Sequence, residues 1–164
     1  LPPRPCNPPC HIRWAASTAT FPKSCRTSPT RPGKSAAEAS EFTLGFTPIL
    51  APMSRGILAT VSARMTDKAK TLSDEEIRAV WSKAYEGQDF MVLLPEGTLP
   101  ATGNIIGSNA AHLQVVTDRK AGRIYAFAAI DNLNRGTAGQ AVQSLNIALG
   151  LPEDAGLTKI GVAP

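Results

Sequence analysis

The sequence predicts an α+β domain over residues 41–164, a mixed and largely antiparallel sheet with helices packed on one face, preceded by a segment 1–40 that cannot contribute to it. Three observations carry this. Strand-like runs outnumber helical ones, two adjacent strands are joined by a five-residue turn that makes them an antiparallel hairpin, and the two helical stretches each present one apolar stripe.

The first segment has no apolar periodicity of 3.6 or 2, and its Pro, Ser, Thr and Arg content leaves too little apolar surface to offset ordering entropy. From Phe42 the pattern changes. Phe42, Leu44 and Phe46 alternate with Thr43, Gly45 and Thr47, the signature of a half-buried strand ending at Pro48. After the turn-like Pro52 to Gly56, the β-branched and small residues Ile57 to Met65 read as a second strand. Ser73 followed by Glu76 forms a capping box and opens a helix with Ile77, Val80, Trp81, Ala84 and Tyr85 on one stripe, stopped by Gly87. Phe90 to Leu94 is a short apolar strand closed by Pro95. Beyond the Pro100 to Gly107 loop, Leu113 to Thr117 and Arg123 to Ile130 are the hairpin strands, joined through Asp118 to Gly122. The last helix runs from Thr137 to Leu149 with Ala138, Ala141, Val142, Leu145 and Leu149 on its apolar face, and Gly150 and Pro152 end it.

The charge divides along the same boundary. Of the 17 Lys and Arg, six lie in residues 1–40 beside one acidic residue, Glu38, together with all three cysteines and eight of the 14 prolines. The overall +4 therefore belongs to the first quarter, and the remaining residues carry eleven basic and twelve acidic side chains. No basic face for nucleic acid follows. No apolar run reaches the roughly 18 residues of a membrane span, and a cytoplasmic protein is expected. Cys6, Cys10 and His11 lack a second ligand pair at zinc spacing, so no metal site is expected. Ser54 and Ser108 have no histidine at a triad-like spacing, and no serine-hydrolase reading is supported.

Arg55 lies in a glycine-flanked turn between two strands, where a guanidinium can grip a carboxylate or phosphate, or can simply form a surface ion pair. Asn132 and Gly136 precede a helix start, where free amides favour an anion or carbonyl, or serve only as a cap and tight turn. His112, near a strand start, reads as structural, and Trp81 and Tyr85 as core or interface residues.

Three blocks carry a resemblance. They are Phe46-Thr47-Pro48-Ile49-Leu50-Ala51-Pro52-Met53-Ser54-Arg55-Gly56-Ile57, then Gly107-Ser108-Asn109, and then Ala129 to Asn146, which contains Asp131-Asn132-Leu133-Asn134-Arg135-Gly136-Thr137-Ala138-Gly139, followed by Gly150-Leu151-Pro152-Glu153. In these, residues 42 to 157 resemble the substrate-binding, dimer-forming half of the N-acetyl-gamma-glutamyl-phosphate reductases, a glyceraldehyde-3-phosphate dehydrogenase-like C-terminal domain. The resemblance implies an NADP-dependent acyl-phosphate reductase of arginine biosynthesis, with N-acetyl-gamma-glutamyl phosphate as substrate and a homo-oligomer as the working form. It implies substrate contacts from Arg55, Ser54 and Asn109, and cofactor contacts from Asn132 and Gly136. Aspartate-semialdehyde dehydrogenases share a turn like Asp131-Asn132-Leu133, and the Pro52-Met53-Ser54-Arg55-Gly56 run distinguishes the two families. A non-catalytic dimerisation or regulatory module is the alternative from another class.

The family's chemistry uses a cysteine thioester, a histidine and hydride from NADPH. No Gly-x-Gly-x-x-Gly unit, no Gly-Cys-Tyr-Pro-like nucleophile segment and no His-Arg-His-x-Pro-Glu-Ile stretch is written here, so no catalytic residue is assigned and the chain is expected to be an inactive fragment by itself. Residues 1–40 read as an out-of-frame translation, or else as a divergent disordered tail. Reading Ser17 to Ser24 two bases on permits His-Arg-His-x-Pro-Glu-Ile at every slot, and the nucleotide sequence decides between the two.

Overall fold

A computed structural model describes residues 45–162. The readings placed on residues 1–40, including the Cys6, Cys10 and His11 cluster, lie outside the described residues. The chain divides into two compact units, Leu1–Ala51 and Pro52–Pro164. In the first, the described residues 45–51 carry no strand, and Phe46, Ile49 and Leu50 are exposed. The strand expected from Phe42 to Phe46 is therefore not found in its described part. Alternation supplies a pattern but no ladder partner, and Pro48 has no amide to donate to one.

The second unit is a four-stranded mixed sheet with helices. Its strands are β1 (Ile57–Arg64), β2 (Met91–Leu93), β3 (Ala111–Asp118) and β4 (Arg123–Ile130), in the order β1-β4-β3-β2. β1 and β3 flank β4 antiparallel, and β2 lies parallel to β3. The sheet is thus largely antiparallel, as the hairpin predicted. The turn closes through Gly122, whose amide donates to Arg119 O, while the Ala121 amide donates to the Asp118 carboxylate.

Helix α2 (Asp74–Ala84) starts where the capping box says: the Ser73 hydroxyl accepts from Glu76 N and the Glu76 carboxylate from Ser73 N. A shorter helix not foreseen, α1 (Asp67–Thr71), precedes it with Thr66 as cap. Five residues are too few for a periodic signal. Ile77 packs with Met65 and Val115, and Ala69, Leu72, Trp81 and Ile124 close around them. Cross-strand partners share a face, so the register puts Val61, Val115, Ile124 and Ala126 on the helix side. The other side holds Leu58, Thr60, Ser62, Val116, Tyr125 and Phe127. Tyr125 and Phe127 stack there at 6.4 Å, and Leu58 and Val116 are exposed. The rings of Trp81 on α2 and of Tyr85, which caps its end, sit 6.2 Å apart, with Trp81 against the core.

The last helix begins earlier than periodicity indicates and in another form. A π-helical turn, Asn134–Ala138, runs straight into α3 (Gly139–Ala148). Its apolar stripe is not covered by the domain: Val142 is 40%, Leu145 56% and Leu149 63% exposed. The buried residues of α3 are Gly139 and Asn146, and the Asn146 side-chain amide holds the following loop through Glu153 O and Ala155 O.

Among the described residues, no helix is long and apolar enough to cross a membrane, and no group of His, Cys, Asp and Glu could hold a metal ion.

Candidate functional site

The turn before β1, the loop before β3 and the turn after β4 meet at one carboxylate. Asp131 is fully buried, and its two oxygens are each used twice. Oδ2 accepts from the Gly107 amide at 2.6 Å and from Arg55 Nη2 at 2.8 Å. Oδ1 accepts from the Leu133 amide at 2.8 Å and the Asn134 amide at 3.1 Å. Burial by itself pushes this carboxyl up, but the three amides and Arg55 together outweigh it and hold the group below the usual carboxylate range. Asp131 therefore stays ionised, with its charge distributed over four donors.

The neighbouring Asn132 makes a parallel link. Its side-chain oxygen accepts from the Gly56 amide at 2.7 Å, so residues 55 and 56 are fastened to residues 131 and 132 one after the other. Gly56 has φ 111°, and a Cβ there would stand 2.9 Å from Thr102 and 3.2 Å from Ile130 O. Only glycine lets the turn approach this closely.

Arg55 is half-buried, with 32% of its side chain exposed, and it is paired with a buried partner rather than a surface one. Its Nε is buried and has no partner. Ser54 is exposed on the same turn. Asn109 is buried: its amide donates to Thr158 O, while its side-chain oxygen has no partner and packs against Gly139. Ser108 is fully buried, its hydroxyl accepting from Ala110 N. The amides expected to be free at the helix start are not free, since Leu133 and Asn134 give theirs to Asp131, Gly136 to Asp131 O and Ala138 to Leu133 O. Asn132 and Gly136 nonetheless stay at the surface side of the turn, Gly136 exposed and Asn132 half-buried.

Next to this hub is an open groove of about 450 Å³ lined by Gly107, Asn109, Asn134, Gly139, Val142 and Thr158 among others. The hub thus unites Arg55, the loop leading to Asn109, and the Asn132 to Gly136 turn. Asp131 is the residue that sequence reasoning missed. It stands inside the strongest block, but its local partners, the Leu133 and Asn134 amides, mark only a turn, and the two that make it a hub, the Gly107 amide and the Arg55 guanidinium, come from distant parts of the chain.

His112 is second in β3, pairing with Ala129 and Val92. Its Nδ1 is buried without a partner, and burial pushes its pKa down. Since the folded value lies below the unfolded one, the unfolded chain takes up the proton first as pH falls. Stability is then lost below about 6.5 and is unaffected above it. Thermal melts from pH 7.5 to 5 should show a decline that is shallower in His112→Gln. Parallel curves would contradict this.

Fold and site together define an α+β domain that gathers a cluster of loops beside one arginine and has no dinucleotide-binding unit among its described residues. The chain belongs to the family described as semialdehyde dehydrogenase, dimerisation domain, whose sequence model matches residues 32–132. It is 62% identical over 132 residues to an N-acetyl-gamma-glutamyl-phosphate reductase of Bifidobacterium animalis subsp. lactis (strain AD011), covering 80% of this chain and 36% of that protein. A protein of the same name from Mycobacterium avium (strain 104) is 54% identical over 132 residues, covering 80% and 37%. One from Micrococcus luteus is 52% identical over 132 residues, with the same two shares. The chain thus spans a little over a third of the length of these curated relatives.

Proposed function

We propose that this chain is the substrate-binding and dimerisation portion of an NADP-dependent N-acetyl-gamma-glutamyl-phosphate reductase, a cytoplasmic enzyme of arginine biosynthesis, and that it turns over only when a nucleotide-binding domain with its nucleophilic cysteine is joined to it. The observation that carries this is the hub at Asp131, which ties Arg55, the Gly107 to Asn109 loop and the Asn132 to Gly136 turn together, with an open groove beside its Gly107, Asn109 and Asn134 side. Arg55 would hold the anionic end of the acylated amino acid, with Ser54 beside it on the same turn and Asn109 on the loop that Asp131 ties to it.

The nucleotide would supply hydride. What these residues offer it is a flank and not a binding site, because the amides that could hold a phosphate are already donated to Asp131. Gly136 and the amide end of Asn132 are what remains for the nicotinamide side. The uncovered stripe of Leu133, Val142, Leu145 and Leu149 begins at that same turn and suits a docked nucleotide domain. On the helix-free face of the sheet, Leu58, Val116, Tyr125 and Phe127 suit a second copy of the chain.

Titration with N-acetyl-L-glutamate, followed by backbone amide NMR, tests the substrate reading. Shifts should concentrate at residues 54–56, 107–109 and 132–136 and disappear in Arg55→Ala. Shifts scattered over the surface, or unchanged in Arg55→Ala, would refute it.

A further inference from the structure

We propose that Asp131 is the positioning residue of this site: its buried carboxylate aims the Arg55 guanidinium and ties it to the Gly107 to Asn109 loop, so that anion binding at Arg55 depends on Asp131. The proposal rests on the reading that Arg55 contacts the anionic end of the substrate. Asp131 is 0% exposed and cannot meet a ligand, so any influence on binding passes through the groups it holds.

Its two oxygens do different work. Oδ1, taking the Leu133 and Asn134 amides, is all that capping the π turn requires. Oδ2, taking Gly107 N and Arg55 Nη2 together, adds nothing to a cap and joins two segments that are far apart in the chain. The Gly56 amide on the Asn132 side chain fixes the backbone of the same turn, so the position of Arg55 is set at both its root and its tip. A guanidinium held this way loses little freedom when an anion arrives, and a free one at a third exposure would lose more.

Asp131→Asn separates the two oxygens. Asparagine caps a helix as well as aspartate does, but its NH2 would face the two donors that now converge on Oδ2. We would measure the affinity of the wild-type chain, Arg55→Ala, Asp131→Asn and the double variant for inorganic phosphate and for N-acetyl-L-glutamate by NMR titration. Arg55→Ala and Asp131→Asn should each bind about tenfold more weakly, the scale of one charge-assisted hydrogen bond. The double variant should be no weaker than Arg55→Ala, because Asp131 has nothing left to position.

Binding by Asp131→Asn equal to wild type, or two losses that multiply in the double variant, would overturn the proposal. Arg55→Ala binding like wild type would instead remove the substrate reading of Arg55, and the proposal with it. The wild-type chain gives a test that does not depend on a variant folding. Rotation of the Arg55 guanidinium, read from its side-chain nitrogen signals, should be slow compared with that of Arg64. Equal, fast rotation at both would overturn the assignment.

Discussion

Asp131→Ala is expected to destabilise the chain by about 3 kcal/mol, roughly 10 °C in melting temperature for a domain of this size. The carboxylate is fully buried, and its removal strands the Gly107, Leu133 and Asn134 amides together with the Arg55 guanidinium. Stranding both partners of a fully buried pair would cost more, but Arg55 is a third exposed and can rehydrate. The pH dependence carries the same signature. Because the folded carboxyl titrates below its ordinary range, its stabilisation is complete above about pH 4 and is lost as pH falls further. Denaturant titrations at pH 7 and pH 3 should therefore show a wild-type advantage over the variant that shrinks at the lower pH. A loss under 1 kcal/mol at pH 7 would mean that the hub does not hold these segments.

Gly139→Ala should also be strongly destabilising, by about 2 to 3 kcal/mol, although the same exchange inside an exposed helix normally gains close to 1 kcal/mol. The sign reverses because a Cβ at this position would lie 1.5 Å from Asn109 Oδ1 and 3.0 Å from Asn134 O. Asn109 has little room to retreat, as its amide is bonded to Thr158 O and the residues on both sides are buried. Gly103→Ala is the control, with nothing within 4 Å of the added carbon. Shortening the obstructing side chain with Asn109→Ala should recover much of the loss. If Gly139→Ala is neutral, the close packing of the 107–109 loop on α3 is wrong.

Both predictions concern a centre that the sequence concealed, while much around it was legible. The start of α2 could be read because a capping box is completed within four residues, and the hairpin because its turn lies between two strands of matching register. Arg55, Asn109, Asn132 and Gly136 could be singled out from the blocks they occupy. What joins them could not. An aspartate that takes amides from residues 107, 133 and 134 and a guanidinium from residue 55 leaves no periodic trace, and Asp131 resembles an ordinary turn residue. Periodicity misplaces the helix start for a related reason. The Asn134 to Ala138 turn is π-helical, a form with no spacing of its own to detect. The stripe of Val142, Leu145 and Leu149 is apolar as the spacing indicates, but periodicity does not say what a stripe packs against, and here the domain leaves it open.

That open stripe makes the account testable from outside the domain. The most direct measurement mixes this chain with the separately produced portion of the Bifidobacterium animalis relative that it does not span, then follows association by size-exclusion chromatography and the NADP-dependent, phosphate-requiring oxidation of N-acetylglutamate semialdehyde. The account predicts co-elution, turnover that neither half shows alone, and loss of both when Leu145 is changed to Glu. Separate elution at tens of micromolar, or a complex without turnover, would contradict it.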